Sequence, residues 1–454
     1  MLSALSRQDA GLARPTRTII AASLALRAAT ALLLLALGLL LPSFETDAAP
    51  LSQPIQWYTR PFVRWDTVYF VNIALEGYTT EQRTAFMPAL PGLMRAGGEA
   101  LHWLRRANGA VTSDEVVVAG LLATTFATTA AALCLHRLTL RLFPSRPSFA
   151  LVTSLLFLAA PARPTLHGVP YTEPFAALCT FGGLLLYFSG RDVPAALAWG
   201  AGAAFRAQGA VLGVGFFGWK WVLRRAFDGQ TTRMAVLKRL LINFPRFASL
   251  SLLSASPFLL FQSYVYCQYC SASAGELRPW CSEGIGLSYG WVQREYWDVG
   301  PLRYWTLRQI PNFVLAAPVL ALSLAASCTF YARNLGAVLA LTLPFLPLSP
   351  RAREQSVPDP ARPLTAPSTP HALAALTPLM HLHTATTLLV VLSAHVQIAL
   401  RLCATLPVAW WFAAELVSAS PGSVRARWGR AWERYTVWWG WLAVALWAVF
   451  LPPA

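Results

Sequence analysis

The chain has 454 residues, of which 56% are hydrophobic and only 12% charged, and its formal charge is +16. Soluble domains carry about twice that charged fraction, so the composition predicts a protein embedded in a membrane. Nearly all of the basic residues are arginines that lie between long apolar runs. This pattern favours the flanks of membrane helices and argues against a nucleic-acid partner.

The first long apolar run extends from Thr18 to Leu41 and predicts a retained transmembrane helix. It is too long for the core of a signal peptide, which spans about 7–15 residues. Arg27 within it should face protein, because a charge exposed to lipid is costly. A helix that crosses a bilayer needs about 20 apolar residues. We therefore predict about ten or eleven spans, at 18–41, 115–136, 148–162, 172–189, 194–218, 247–266, 311–331, 335–349, 372–400, 436–451 and, as the eleventh candidate, 402–417.

Short basic segments set the expected orientation of these spans. Residues 1–17, 137–147, 219–246 and 425–434 are rich in arginine. Basic connections between spans lie on the cytosolic side of a membrane. The pattern therefore predicts an all-α polytopic membrane protein whose N-terminus is cytosolic, since helices satisfy their own backbone groups in lipid.

Two long connections then lie on the opposite, lumenal face, namely residues 42–114 (the first loop) and 267–308 (the second loop). Residues 350–370 are rich in proline and polar side chains, a composition typical of a disordered loop. No fixed-period repeat is evident. We predict one membrane domain over residues 1–454.

The first loop contains "RWDTVYFVNIALEGY", in which Trp65, Tyr69 and Ile73 recur at helical spacing. This predicts an amphipathic helix along the membrane surface, with Asp66 at its start. The carboxylate has two interpretations. It could cap the helix by accepting backbone N–H bonds, or it could act as a general base at the membrane boundary.

Four further polar residues stand out in the loops and spans. Glu81 reads locally as a solvated surface charge. Glu173 precedes a proline at the start of a span, so it could cap that helix or face a cavity. Arg206 and Gln208 lie within an apolar stretch. An intramembrane arginine indicates function, because its guanidinium can bind a phosphate through a fork of N–H groups; the alternative is an arginine that reaches to the interface.

The second loop combines many aromatic rings with arginine and glutamine side chains. Sugars need apolar faces to stack on and donors for their hydroxyls, although the same mixture also suits a membrane-interface belt. Cys267, Cys270 and Cys281 lack the fourth ligand of a structural zinc site. In an oxidising lumen we expect a disulfide between two of the three, with the pairing left open.

Motifs for nucleotide phosphates, zinc proteases and serine hydrolases are absent from the sequence. His381 and His383 lie near His371 and His395, without a carboxylate at metal-ligand spacing, so we predict no metal site. A sugar donor, if one is used, need not be a nucleotide sugar. A lipid-phosphate sugar could enter from the bilayer.

Several stretches resemble the GPI mannosyltransferase 2 family, in that family's order across nearly the whole chain. They are "RWDTVYFVNIALEGYTTEQRTAFMPALP", "YTEPFAAL", "FRAQG", "PFLLFQSY", "RPWC", "YGWVQREYWDVGPLRYWTLRQIPNF", "SAHVQIALR" and "LPVAWWFAA". Two departures stand out. Asp298 occupies a position where we expect asparagine, and Asp66 has no acidic neighbour, which gives no support to a metal-binding pair of acids.

The resemblance implies a GT-C-type glycosyltransferase of the endoplasmic reticulum membrane that needs no cofactor. It implies dolichyl-phosphate mannose as donor and a mannosyl-glucosaminyl-phosphatidylinositol, the GPI lipid intermediate, as acceptor, joined α-1,6 with inversion. Whether a small membrane subunit takes part is left open. Asp66 would be the catalytic base, with Arg206, Arg278 or Arg303 stabilising the leaving phosphate. The implied substrate-binding residues are Trp65, Glu81, Glu173, Arg206, Gln208, Arg278, Trp280, Gln293, Tyr296, Trp297, Arg303, Gln309 and Asn312.

Two other functions compete with this one. The first is a different dolichyl-phosphate-sugar transferase that acts on an N-glycan or a protein, and the block from Gln293 to Phe313 argues against it. The second is a lipid scramblase or transporter without chemistry. Transporters are often built from internal half repeats, and none is visible here.

Overall fold

The computed structural model describes residues 15–44, 51–227, 232–271, 277–282, 287–343 and 376–451. Its described secondary structure is helical, as predicted. The principal helices are α1 (Pro15–Leu40), α2 (Asp66–Glu76), α3 (Ala89–Leu104), α4 (Ser113–Leu142), α5 (Pro147–Leu158), α6 (Glu173–Phe188), α7 (Asp192–Phe205), α8 (Gln208–Phe217), α9 (Arg233–Cys270), α10 (Ser288–Trp297), α11 (Ile310–Thr342), α12 (Thr377–Ser393), α13 (Pro407–Val417) and α14 (Val424–Ala448). The predicted disordered loop, 350–370, lies outside the described residues.

Within the described chain, four helices are long and apolar enough to cross a membrane: α1, α4, α9 and the helical stretch Leu307–Gly336. A fifth candidate is the pair Val396–Thr405 and Pro407–Val417, which is bent by 85°. Helices α5 and α6 are apolar but only 12 and 16 residues long. The chain is therefore a multi-pass membrane protein, but the predicted count of ten or eleven spans is not confirmed.

One predicted span is broken in the structure. The span predicted at 194–218 is interrupted at Arg206, whose extended backbone (φ −154°, ψ 137°) separates α7 from α8. The boundary predicted between 311–331 and 335–349 coincides with a kink in α11, where Asn334 has non-helical backbone (φ −122°, ψ 17°). The break at Arg206 lets its side chain leave the helix axis.

Small residues allow the helices of the bundle to approach closely, as is common in membrane proteins. Helix α6 packs against α4 and α7, and α9 packs against α7 and α8. Gly209 meets the backbone of α7, so that a Cβ built there would lie 2.3 Å from the carbonyl oxygen of Trp199. The indole ring of Trp199 is fully buried and fills the space beside another glycine, Gly183 of α6.

The first loop is a folded unit beside this bundle. Helix α3 buries Leu90, Met94 and Gly98, which are spaced four residues apart, and packs on α4. Helix α4 begins with a capping box, in which Thr112 and Glu115 bond each other's backbone N–H groups.

Helix α2 exists as predicted, but it is not a surface helix. Phe70 and Val71 are buried on it beside Ile73, so side chains on more than one face pack against protein. Helix α2 is therefore enclosed by protein and does not expose one whole face, as an amphipathic surface helix would.

The second loop is held by a disulfide and by hydrogen bonds to its neighbours. Cys270 and Cys281 are bonded, with Cα atoms 5.5 Å apart, while Cys267 is exposed and free. Gln262 of α9 accepts bonds from the Ser288 hydroxyl and the Tyr289 N–H at 3.1 Å, at the start of α10. The prediction of one disulfide among three cysteines is confirmed, and the structure supplies the pairing.

Candidate active site

Asp66 is the first residue of α2, and an unusual backbone turn precedes it. Trp65 has φ 52° and ψ −131°, a region that residues other than glycine seldom occupy and that costs about 1–3 kcal/mol. The structure contradicts the helix-cap interpretation, because Trp65 is the capping residue and no side chain caps this end. The turn instead directs the Asp66 carboxylate toward Arg401.

Five side chains form what we call the acid–arginine cluster: Asp66, Tyr171, Glu173, Arg206 and Arg401. Arg401 Nη1 donates to Asp66 Oδ2 at 3.0 Å and to the Tyr171 hydroxyl at 3.0 Å. Its Nε lies 3.7 Å from Glu173 Oε1. Arg206 Nη1 donates to the same Glu173 oxygen at 2.5 Å. Each carboxylate is thus bridged to the other through Arg401.

Burial differs sharply within the acid–arginine cluster. The Glu173 side chain is fully buried, whereas that of Asp66 is 32% exposed. Glu173 is therefore held for structure or electrostatics, and the cap proposed for it is absent, since α6 has no side-chain cap bond. Asp66 is the carboxylate of the cluster that a substrate hydroxyl can reach.

The Tyr171 ring packs against the guanidinium of Arg401, whose central carbon lies 5.4 Å from the ring centre. Its ring packs edge-on against Phe70 and Trp447, and it is almost fully buried. Burial, and then the charge of Asp66, raises the pKa of the Tyr171 hydroxyl well above its ordinary value. The hydroxyl therefore stays neutral and can act only as a hydrogen-bonding group for Arg401 and Asp66.

An aromatic wall joins α2 to the second loop. Tyr69, one helical turn after Asp66, stacks on Phe86 with ring centres 4.8 Å apart. The Trp297 ring lies 5.9 Å from Phe86 and 6.5 Å from Tyr69. These rings bring the end of α10 to the helix that carries Asp66, and they supply apolar faces of the kind on which sugar rings stack.

Glu81 lies in a second arrangement, which we call the Glu81 cluster. Its carboxylate is only 4% exposed and accepts bonds from Trp280 Nε1 at 2.6 Å and from the Tyr296 hydroxyl at 2.9 Å. Arg278 Nε lies 3.9 Å away. The solvated-charge interpretation of Glu81 is therefore wrong. Burial, then the hydrogen bond to Glu81, raises the pKa of Tyr296, which keeps this phenol a donor.

Three other predicted substrate-binding residues, Arg303, Gln309 and Asn312, make contacts outside the acid–arginine cluster. Arg303 pairs with Asp298 at 2.9 Å on the surface, so it is not brought to Asp66. Gln309 and the Tyr304 hydroxyl both accept from Asn312 Nδ2, in a polar chain away from the acid–arginine cluster.

Two glutamines, Gln208 and Gln293, are the last of the predicted substrate-binding residues. Gln208 accepts from Thr405 at 3.1 Å, which ties α8 to the residues just after Arg401. Gln293 lies partly buried on α10, where its carbonyl oxygen accepts the Val299 N–H at the end of the helix.

Asp298 shows why the expected asparagine and this aspartate can share a position. It ends α10 in a left-handed conformation, with φ 50° and ψ 33°. Asparagine and aspartate tolerate that conformation better than other residues with a side chain. The departure from the family pattern therefore follows from a turn requirement, and it places no acid in the site.

Sequence reasoning missed Arg401 and Tyr171 as site residues. Arg401 lies in a long apolar region. An arginine in such surroundings indicates function, and this reasoning, which selected Arg206, applies equally to Arg401. Tyr171 carried no local signal of its own beyond its place two residues before Glu173. Among the described residues, no group of three or more His, Cys, Asp or Glu side chains could hold a metal ion.

Comparison with known proteins gives one consistent result. Residues 17–454 match the family model described as Mannosyltransferase (PIG-V). The chain is 34% identical to "GPI mannosyltransferase 2" of Cryptococcus neoformans, over 91% of this chain and 93% of that protein. It is 32% identical to "GPI alpha-1,6-mannosyltransferase 2" of Cricetulus griseus, over 78% of this chain and 72% of that protein.

The fold also has a distant likeness among solved structures. An oligosaccharyltransferase of Archaeoglobus fulgidus, tethered to an acceptor peptide, superposes with a TM-score of 0.46 at 11% identity, over 95% of this chain and 55% of that chain. Because this overlap is low, family membership rests on the sequence relatives.

Proposed function

Because this chain belongs to the Mannosyltransferase (PIG-V) family, we propose that the acid–arginine cluster is its mannosyl-transfer site. The protein is a membrane-embedded glycosyltransferase of GPI-anchor biosynthesis that adds the second mannose to a GPI intermediate. The donor proposed is dolichyl-phosphate mannose, used as a substrate without a further cofactor. The observation that carries the site is the half-buried Asp66 paired with Arg401.

In the proposed step, the Asp66 carboxylate removes the proton from the 6-hydroxyl of the acceptor mannose. That oxygen attacks the anomeric carbon, and the bond from this carbon to the phosphate oxygen breaks. A β-linked donor thereby gives an α-linked product in a single displacement. Arg401 holds the carboxylate by a charge-assisted bond, and the exposed part of Asp66 faces the incoming hydroxyl.

The leaving group is a phosphate, so it needs positive charge more than it needs a proton. Arg206 and Arg401 are the two guanidinium groups of the acid–arginine cluster, and both lie within 4 Å of Glu173. Glu173 fixes their positions and offsets their charge when the donor is absent. Arg278 and Arg303 are less suitable, since one neighbours Glu81 and the other pairs with Asp298.

The proposal places the protein in the endoplasmic reticulum membrane with its N-terminus in the cytosol. It puts the acid–arginine cluster on the lumenal face, where the donor's sugar would be presented. The supporting feature is the arginine-rich character of residues 137–147, 219–246 and 425–434. Co-purification from membranes tests whether the enzyme associates with a small membrane subunit.

Complementation tests this function directly. Wild-type protein should restore surface GPI-anchored proteins to cells that lack their second GPI mannosyltransferase, because it supplies the missing α-1,6-mannose. Flow cytometry of a GPI-anchored marker measures the rescue. No rescue by a protein that reaches the membrane at normal levels would mean that the functional assignment is wrong.

Two alternatives predict different results. A transferase for N-glycan or protein acceptors would correct glycans in other mutant cells and leave GPI synthesis unrescued. A transporter without chemistry would remain active when Asp66 is changed to Asn, since it moves no proton at that carboxylate. Neither alternative is favoured by a contact in the described structure.

A further inference from the structure

A groove lined by two arginines lies at the end of α1, and none of the five residues of the acid–arginine cluster lines it. Its cavity volume is about 610 Å³, and its walls come from the end of α1, the short helix Arg60–Phe62 and Phe450. Both arginines, Arg60 and Arg64, line it, and no acidic residue does so among the described residues. Neither arginine was singled out by the sequence pattern.

The groove is rigidly built. Gly38 lets α1 approach the short helix so closely that a Cβ there would lie 2.6 Å from Pro61 Cγ. Trp447 Nε1 donates to the Pro61 carbonyl at 3.2 Å, and the Phe44 N–H donates to the Val449 carbonyl at 2.9 Å. The ends of α1 and α14 thus fix its two walls.

Arg64 is 5% exposed, yet it meets no carboxylate in the described structure. Its Nη atoms donate to the carbonyls of Arg60, Val63 and Ala448 and to the Ser43 hydroxyl, and its Nε has no partner in the described structure. The guanidinium also lies over the Phe450 ring, 5.0 Å from the centre. A buried cation is costly unless an anion compensates it, so this site is arranged to receive one.

Among the described residues, Asp114 is an acidic side chain that contacts this segment, and neutral donors occupy it. Asp114 accepts hydrogen bonds from the Gln56 N–H and from the Thr59 hydroxyl, and it forms no ion pair with Arg60 in the described structure. Among the described residues that line the groove, Arg60 and Arg64 therefore contribute two positive charges and no acid offsets them. Nearby Leu39, Phe44 and Trp57 are exposed, which suits the boundary between lipid chains and headgroups.

We propose that this groove binds the phosphodiester of the phosphatidylinositol acceptor, an inference that rests on the proposed function. Its position at the end of α1, the first candidate span, suits a lipid phosphate. The donor's phosphate is attached to the reacting carbon and must therefore lie beside Asp66, where Arg206 and Arg401 are found. In the acceptor, the mannose, glucosamine and inositol rings separate the reacting hydroxyl from the phosphate, so a second cationic site, separate from the acid–arginine cluster, fits that lipid.

The test is a transfer assay with purified full-length protein, synthetic mannosyl-glucosaminyl-phosphatidylinositol and dolichyl-phosphate mannose. Arg60→Gln should raise the KM for the acceptor by about tenfold or more, the usual effect of losing a charge-assisted bond, and leave the KM for the donor unchanged. Arg64→Lys tests the buried position, with less risk to folding than a neutral residue. Arg95→Gln, an exposed arginine of the same loop that pairs with Glu99, is the matched control and should leave both values unchanged.

A second acceptor that lacks the phosphodiester makes the assignment specific. Wild-type protein should bind this analogue about as weakly as Arg60→Gln binds the full acceptor, and the substitution should have little further effect on the analogue. An unchanged acceptor KM in both variants would overturn the groove assignment, and a raised donor KM would give the groove to the donor. If wild-type protein transfers no mannose at all, the proposed function itself fails.

Discussion

Asp66 and Glu81 are acidic residues of the same loop, and the structure treats them in opposite ways. Asp66 is partly exposed and meets a buried guanidinium. Glu81 is buried, and an indole N–H and a phenol satisfy its two oxygens. A carboxylate whose acceptors are filled by fixed neutral donors holds two segments together. One that keeps an open side next to a cation can exchange a proton with a substrate.

The difference extends to how each acid is connected. Glu81 joins the first loop to the second across 199 residues through Trp280 and across 215 residues through Tyr296. Asp66 joins the first loop to Arg401, which also contacts Tyr171 and Glu173 at the start of α6. The Glu81 cluster therefore positions the second loop, while the acid–arginine cluster concentrates charge.

The largest effect should come from Asp66→Asn. The amide keeps the shape but cannot accept the proton, so transfer should fall by about a hundredfold to ten-thousandfold with the fold intact. Mannose transfer by the purified variant measures the loss, and its thermal melting in detergent checks the fold. Glu76→Gln, on the same helix and paired with Arg83 at the surface, is the control and should stay active. Full activity of the Asp66 variant would remove the catalytic assignment.

Next in size should be Arg401→Gln. It leaves Asp66 and Glu173 without their shared cation, which should slow transfer by about a hundredfold, as the loss of one electrostatic contact does in other enzymes. Breaking such a buried pair also destabilises a protein by about 3–5 kcal/mol. Arg401→Lys keeps the positive charge, so it should recover part of the transfer rate and part of the stability. Equal activity of wild type and Arg401→Gln, measured per folded molecule, would show that Arg401 has no part in transfer.

Glu81→Gln should act on stability more than on chemistry. One oxygen becomes an amide nitrogen facing a donor, which costs about 1–3 kcal/mol and should lower the melting temperature. Activity per folded molecule should fall less than tenfold, by roughly the weakening expected of one misplaced bond. If Glu81→Gln instead abolishes transfer as Asp66→Asn does, with an unchanged melting temperature, the contrast between the two acids is wrong.

The smallest effect should come from Arg303→Gln. Its pair with Asp298 is largely exposed, and such surface pairs contribute about 0.5 kcal/mol or less. Melting temperature and transfer rate should both match wild type. A large loss of transfer would restore Arg303 as a phosphate-binding residue, which its present position does not favour.

The sequence by itself determined the membrane class and the helical architecture, and it singled out Asp66, Glu173 and Arg206 as candidates. These follow from hydropathy and from the rarity of charge in apolar surroundings, which are local properties of the chain. It also indicated a disulfide, because three cysteines lie within a short stretch.

Tertiary structure alone decided which charges meet. Arg401 reaches Asp66 across 335 residues, and no local pattern encodes a partner at that distance. The break at Arg206 turned one predicted span into two helices and released a guanidinium toward Glu173. Whether a carboxylate is filled by neutral donors or left open is a property of its packing, so only the folded chain separates Asp66 from Glu81.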